Sequence, residues 1–257
     1  MELCAIVLTL VLVLGAESIA QSEQWCGWAM STSGSGARNA RIIDITHSLR
    51  EGLPVWDSFH RGLGKLVHQV ESIANGSIAN ASELKKMGVH TGTHVDSPSH
   101  FLEDAFLAGV DTSNGLDLGI LNGPVLVVEA PRETNISGSV IKDIVPQGVK
   151  RVLFRTLNTD RRLMWNPEFV TDYTAITGEG AEYIAEKTQL KLVGVDYLSA
   201  AVYEALARSH KALLRKGVIL VEGLNLDNVD TGMYTLHCLP LRLVGSDGSP
   251  TRCILTD

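Results

Sequence analysis

Residues 190–222, LKLVGVDYLSAAVYEALARSHKALLRKGVILVE, decide the fold class of this 257-residue chain. Residues 190–195 and 218–221 are apolar runs of strand length. Between them, residues 201–216 carry apolar side chains near helical spacing, and Gly217 ends that pattern. A strand, a helix and a second strand in this order predict an α/β fold.

The rest of the chain continues the alternation. Further strands are predicted at residues 123–130 and 151–156, and further helices at 137–144 and 178–188. With 45% hydrophobic and 20% charged residues, the chain is long enough to bury a sizeable core, and no repeat or linker divides it. We therefore predict a single α/β domain over residues 41–257. Residues 21–40 are rich in Ser and Gly, lack periodicity and are predicted to form a flexible N-terminal arm.

The first twenty residues have the pattern of a signal peptide. Residues 4–15 are continuously apolar, and the small residues Ser18 and Ala20 occupy the −3 and −1 positions of a cleavage site. The pattern predicts a protein secreted to the extracellular space or matrix, without a membrane span after cleavage. Glu2 and the absence of Lys and Arg from this segment leave a retained short anchor as the alternative.

The net charge and the glycosylation sequons of the chain indicate which partners and modifications to expect. The formal net charge is −7 and no stripe of basic residues exists, which argues against nucleic acid as a partner. For a secreted chain, three sequons are candidate glycosylation sites, at Asn75, Asn80 and Asn135.

Three cysteines remain after signal cleavage, so at most one intrachain disulfide can form. We expect Cys238 to be a buried free thiol, and a bridge between Cys26 and Cys253 is the pairing that we consider.

Residues 90–100, HTGTHVDSPSH, hold three of the eight histidines and one carboxylate, as expected of a metal site. Imidazole and carboxylate groups suit zinc, manganese or iron better than calcium or magnesium. Gly92 and Pro98 disfavour a helix, so a strand or loop is predicted, in which His94 and Asp96 point the same way. Gly92 would let His90 join them. His100, beyond the proline, is either a ligand or a free acid/base, and a chance cluster is the alternative to a metal site.

Two further candidate ligands occur in the segment that decides the fold. His210 lies on the predicted helix, and Glu222 lies at the C-terminal end of the following strand, where α/β sheets commonly place their chemistry. A buried carboxylate needs a partner, which is either a metal, a salt bridge or backbone amides.

On these residues the chain resembles the metal-dependent cyclase family, which includes bacterial kynurenine formamidase, and within it the plant cyclase-like branch. The pattern H-x-G-T-H-x-D-x-P-x-H is matched throughout residues 90–100. The run LFRTLNTDRR at 153–162 is similar to the plant branch in particular. The remaining matches follow in order from residue 41 to the C-terminus, at 44–47, 53–57, 194–199, 210, 222–225 and 237–241.

The resemblance implies a fold and a set of roles. The fold is the swivelling β/β/α form, and relatives are dimers or tetramers. Metal ligands would be His90, His94, Asp96, His210 and Glu222, holding one or two divalent ions, Zn or Mn. His100 would be the general acid/base, and Trp56 would line the substrate pocket.

Two functions of different classes follow. One is a secreted metal-dependent amidohydrolase that cleaves a small amide or aryl formamide such as N-formylkynurenine, with metal-activated water. The other is an extracellular matrix or regulatory protein in plant stress or cell-death control, which keeps the metal site with little or no catalysis. The presence of His100 beside a full ligand set favours catalysis, because a purely structural site does not require it.

Overall fold

The computed structural model describes residues 41–58 and 61–257, where strands and helices alternate as predicted. The expected signal peptide (1–20) and N-terminal arm (21–40) lie outside the described residues. The described strands are β1 (Ile42–Asp44), β2 (Val67–Glu71), β3 (Ala81–Leu84), β4 (His94–Asp96), β5 (Asn122–Glu129), β6 (Arg151–Arg155), β7 (Leu192–Val195), β8 (Ile219–Glu222), β9 (Gly232–Pro240) and β10 (Gly248–Thr256). The described α-helices are α1 (Glu103–Leu107), α2 (Leu118–Leu121), α3 (Gly138–Ile144), α4 (Leu157–Asp160), α5 (Gly178–Lys187) and α6 (Leu206–Arg215).

Seven strands close into a barrel. The order is β10-β4-β8-β7-β6-β5-β9, and β9 pairs with β10 to complete the circle, while β1 extends the sheet beyond β10. Strands β5, β6, β7 and β8 run parallel to one another, and the other pairings of the barrel are antiparallel. Strands β2 and β3 form a separate hairpin. No helix in the described part of the chain is both long and apolar enough to span a bilayer.

The parallel strands contain continuous apolar runs, and both faces of these runs are buried. On β6, Val152 and Phe154 pack against the helical layer, whereas Leu153 faces the other core with residues of the antiparallel strands. On β8, Leu220 and Val221 divide between the two cores in the same way. This two-sided burial explains the continuous apolar runs in the sequence.

The predicted helix at 201–216 begins later than expected. Ala201 pairs with Ile176 in an isolated β-bridge, and the amide of Val202 donates to the Ile176 carbonyl oxygen at 3.0 Å. These contacts hold the first residues in extended geometry, so a 3₁₀ turn at Tyr203–Ala205 precedes α6. Gly217 then stops the helix with a φ of 67°, as the sequence indicated.

Both cysteine expectations were wrong. Cys238 is not a free thiol, and Cys253 is not available to Cys26, because Cys238 and Cys253 form a disulfide with a Cα–Cα distance of 4.2 Å. The two residues are directly opposite each other on the antiparallel strands β9 and β10 and are fully buried. Residues opposite each other across a sheet point to the same face, which brings the two sulfurs together.

We expect the disulfide to contribute measurably to the free energy of unfolding. It closes a loop with a sequence separation of 15, for which restriction of the unfolded chain contributes about 3 kcal/mol. We expect the double variant Cys238→Ala/Cys253→Ala to lose about that much free energy of unfolding in urea. Peptide mapping without reductant serves as the control, and two alkylated free thiols at these positions would contradict the prediction.

Candidate metal centre

The motif at 90–100 adopts the strand and loop geometry that its residues predicted. His94, Val95 and Asp96 form β4, and Pro98–His100 forms a 3₁₀ turn. Gly92 has a φ of 65°, which a side-chain-bearing residue rarely adopts, and it turns the chain so that His90 returns to the strand. The Nδ1 atom of His90 lies 3.0 Å from Oδ1 of Asp96.

Strand pairing brings the distant ligands to this motif. β4 lies between β8 and β10, with His94 opposite Glu222 and Asp96 opposite Gly248. The amphipathic helix α6 buries His210 on its inner face, next to the same strand end. The carboxylate of Glu222 therefore sits 3.3 Å from His94 Nε2 and 3.4 Å from His210 Nε2.

All five predicted ligands converge in this way. Their ligand atoms form two groups, His90 with His94 and Asp96, and Asp96 with His210 and Glu222, in each of which the atoms lie within 4.8 Å of one another. Asp96 belongs to both groups. Glu222 also accepts a hydrogen bond from the backbone amide of Ala200 at 2.6 Å. The buried carboxylate therefore has a backbone-amide partner as well as the two histidines.

Hydrogen bonds outside the cluster set the histidine tautomers. Nδ1 of His94 donates to the carbonyl oxygen of Gly92 at 2.8 Å, and Nδ1 of His210 donates to that of Leu206 at 2.8 Å. In each neutral ring the other nitrogen carries a lone pair, and that nitrogen faces the carboxylates. Lone pairs facing carboxylate oxygens repel each other unless a cation lies between them.

Two observations fit divalent ions better than protons. Both oxygens of Asp96 are buried without a hydrogen-bond partner, and so is the Nδ1 atom of His90, which lies 3.0 Å from Oδ1 of Asp96. The His94 and His210 nitrogens lie 3.3–3.8 Å from the carboxylate oxygens, longer than the roughly 2.7–2.9 Å of a charge-assisted hydrogen bond. Two atoms bound tetrahedrally to one ion at about 2.1 Å are about 3.4 Å apart. The residues therefore fit a metal centre.

The pKa shifts of His90 and Glu222 are consistent with a site for positive charge. Burial lowers the pKa of His90, but contacts with Asp247 and Asp96 outweigh burial and raise that pKa to about 10. Burial raises the pKa of Glu222, but the neighbouring rings of His210 and His94 hold it well below its usual range. Both shifts have one cause: the buried carboxylates of this cluster require positive charge beside them, which a protonated ring or a bound cation supplies.

Comparisons with known proteins identify the family of the chain. Residues 43–202 match the model of the family described as "Putative cyclase". The chain belongs to this cyclase family.

Individual relatives give the same assignment. The chain is 52% identical to cyclase-like protein 2 of rice (Oryza sativa subsp. japonica), over 84% of this chain and 79% of that protein. It is 33% identical to a kynurenine formamidase of Erythrobacter litoralis, over 84% and 94% of the two chains. A solved structure described as a predicted metal-dependent hydrolase from Bacillus stearothermophilus superposes with a TM-score of 0.68 at 30% identity, covering 85% and 98%.

This cyclase-family centre opens into a cavity of about 370 Å³. His100 lines the cavity, and so does Trp56, which contacts Phe169 at a ring-centroid distance of 4.6 Å. Phe101 stacks on the ring of His210 at 4.1 Å. The remaining wall is mostly apolar, so the cavity suits a small planar or aromatic molecule.

Sequence reasoning missed two residues beside the cyclase-family centre, Asp247 and Gly248. The carboxylate of Asp247 accepts hydrogen bonds from Nε2 of His90 at 3.0 Å and from Nδ1 of His100 at 2.8 Å. The segment containing them, GSDGSP at 245–250, carries a turn signal and no hint of a site. They lie near the motif only because β10 pairs with β4.

The close approach of Gly248 to His90 allows a test of whether the position of that ring matters for metal binding. A Cβ at this position would lie 2.3–2.9 Å from three ring atoms of His90, so Gly248→Ala must displace that ring. We expect about 10- to 100-fold weaker metal affinity with the fold retained, as for other residues that orient a ligand. Metal titration followed by elemental analysis measures the loss. Gly64→Ala is the control because a Cβ at Gly64 meets nothing within 4 Å, and equal metal content in both variants would refute the prediction.

Proposed function

We propose that this cyclase-family protein is a metal-dependent amidohydrolase that cleaves a small amide or aryl formamide, with N-formylkynurenine as the reference substrate. The observation that carries the proposal is the convergence of three histidines and two buried carboxylates at one end of a cavity that also holds His100. The kynurenine formamidase relative supports this substrate class.

Five residues of the centre are the proposed metal ligands. His90, His94, Asp96, His210 and Glu222 would hold one or two divalent ions, Zn or Mn. When bound, such ions supply Lewis acidity that lowers the pKa of a water molecule and polarises an amide carbonyl. The buried carboxylates of Asp96 and Glu222 contribute the negative charge that retains the cations.

His100 supplies proton transfer in this proposal. Its ring lines the cavity, and its Nδ1 is hydrogen-bonded to Asp247, which leaves Nε2 to serve the substrate. A neutral imidazole can accept a proton from water at Nε2 and then deliver it to the leaving nitrogen. Amide nitrogen is a poor leaving group until it is protonated, which makes this step essential.

The walls of the cavity support an aromatic substrate. Trp56, Phe101 and Leu206 present apolar surface next to the metal ligands. Trp56 is 37% exposed and stacks near Tyr203 at a ring-centroid distance of 6.0 Å, which places a broad aromatic surface at the mouth. An aryl group lying against these rings would direct its amide carbonyl towards the ligands.

The proposal extends to location and assembly. The signal-peptide pattern at 1–20 supports secretion, and the three sequon asparagines, all exposed, would then be open to glycosylation.

The exposed apolar residues Val67, Val70 and Leu84 on the hairpin β2–β3 support a homo-oligomer, because a two-stranded hairpin is marginally stable alone. Light scattering on the secreted, glycosylated protein measures the assembly.

The function is tested on signal-cleaved protein from a eukaryotic secretion host. Metal content is measured first, and the protein is then stripped with a chelator, reloaded with zinc or manganese, and assayed on N-formylkynurenine, other aryl formamides and small lactams. We expect one to two ions per chain and turnover that requires them. Bound metal without turnover on any of these amides would overturn the hydrolase and leave the non-catalytic function.

A further inference from the structure

Asp247 joins two parts of the site through a single oxygen. Its Oδ2 atom accepts from His90 Nε2 at 3.0 Å and from His100 Nδ1 at 2.8 Å, and the two imidazole rings stack at 3.9 Å. The backbone carbonyl of Asp247 accepts from the amide of Ser97 at 2.9 Å, which ties this turn to the metal motif. The two histidines therefore fix the side chain of Asp247, and Ser97 fixes its backbone.

We infer that Asp247 is a positioning residue that orients His100 for proton transfer. The inference rests on the proposed function, in which His100 is the acid/base. A ring whose Nδ1–H donates to a carboxylate is held in one tautomer, with the Nε2 lone pair free. Because His100 lines the cavity, the oriented lone pair is the one available to a substrate or water there.

The geometry favours hydrogen bonding over a further metal ion at Asp247. The two His–Asp247 distances are shorter than the roughly 3.4 Å expected between atoms that share a tetrahedral ion, and both contacts satisfy hydrogen-bond directions. The contact to His90 also leaves that ring's Nδ1 facing Asp96. One carboxylate thus orients the acid/base and a predicted ligand together.

A structural role alone does not explain Asp247. Its side chain is 40% exposed and belongs to no hydrophobic cluster, so the core does not depend on it. An oxygen that only stabilised the turn would not need to contact the two histidines. The contacts therefore point to a role in the reaction that is exerted through His100.

Asp247→Asn, alone and combined with His100→Ala, tests the inference in the metal-loaded protein. The amide keeps the shape but loses the negative charge, so hydrogen bonds from the two rings to its one oxygen are weaker and its NH₂ group competes for the same position. At saturating metal, which offsets any loosening of His90, we expect kcat to fall about 10- to 100-fold, as for other supporting carboxylates, with KM and bound metal within about twofold of wild type. In the His100→Ala background, again at saturating metal, the same change should have little further effect on kcat, because the ring that it orients for proton transfer is already absent. Asp247→Glu should restore part of the lost kcat.

Three results would overturn the inference: unchanged kcat in Asp247→Asn, losses that add in the double variant, or a loss explained by missing metal. Asp143→Asn, an exposed carboxylate on α3, is the matched control.

A readout independent of turnover separates this inference from the proposed function. In ¹⁵N-histidine-labelled, metal-loaded protein, the His100 signals are assigned by their loss in His100→Ala. We expect the Nδ1-protonated tautomer in the wild type, and a mixture of tautomers in Asp247→Asn. If the wild type hydrolyses no amide, the hydrolase proposal fails while this experiment still decides the positioning role. An unchanged tautomer in Asp247→Asn would refute it.

Discussion

Replacing Asp96 with asparagine is expected to release bound metal and to abolish metal-dependent hydrolysis. Asp96 belongs to both ligand groups, so its loss weakens both halves of the centre. Its two oxygens and the nearby Nδ1 atom of His90 are buried without hydrogen-bond partners, and a cation bound between them would satisfy all three. We expect metal affinity to fall by more than about 100-fold, the upper range for residues that only support a ligand.

Thermal unfolding with and without chelator shows whether Asp96 binds metal or serves a structural salt bridge. A metal centre places Asp96 and Glu222 close together at a cost that the cations offset. In the chelated Asp96→Asn variant, Asp247 still pairs with His90 and the repulsion between Asp96 and Glu222 is gone, so the variant should be at least as stable as the chelated wild type. The wild type should gain stability on adding zinc or manganese, about 2.7 kcal/mol at a hundredfold excess over Kd, and the variant should not.

A structural ion pair would give the opposite order. With protonated histidines as the partners, Asp96→Asn would destabilise the chelated protein by leaving buried positive charge unpaired. That order, together with normal metal content, would refute the metal centre. Asp143→Asn controls for the loss of one carboxylate elsewhere.

Replacing His100 with alanine is expected to keep the metal and lose turnover. Its Nδ1 donates to Asp247, and the five ligands form their groups without it. General acid/base catalysis typically contributes about 100- to 10,000-fold, and kcat should fall by that factor while KM changes little. Elemental analysis and steady-state kinetics on the same preparation measure both quantities.

The control for His100→Ala is His68→Ala, on β2, whose ring contacts the carbonyl oxygen of Lys65 away from the cavity. Turnover by His100→Ala close to that of the wild type would remove its acid/base role. Loss of metal in His100→Ala would show instead that its ring supports His90, against which it stacks.

Much of the centre was predictable because its key residues are close in sequence. His90, His94 and Asp96 act from one short segment, where the two-residue period of a strand and the conformational freedom of Gly92 are local properties. His210 and Glu222 were predictable from an amphipathic helix and an apolar strand end. These patterns depend on neighbouring residues alone.

By itself, the sequence determined the α/β class, the approximate strands and helices, and the ligand types that a divalent ion requires. The tertiary structure alone decided the closure of the barrel, the Cys238–Cys253 disulfide and the contacts of Asp247 and Gly248 with the histidines. Asp247 and His90 are separated by 157 positions, and they meet because β10 pairs with β4 in one register. Register follows from how all the side chains pack together, since a slip of one residue turns each buried face outward. No local pattern carries that information.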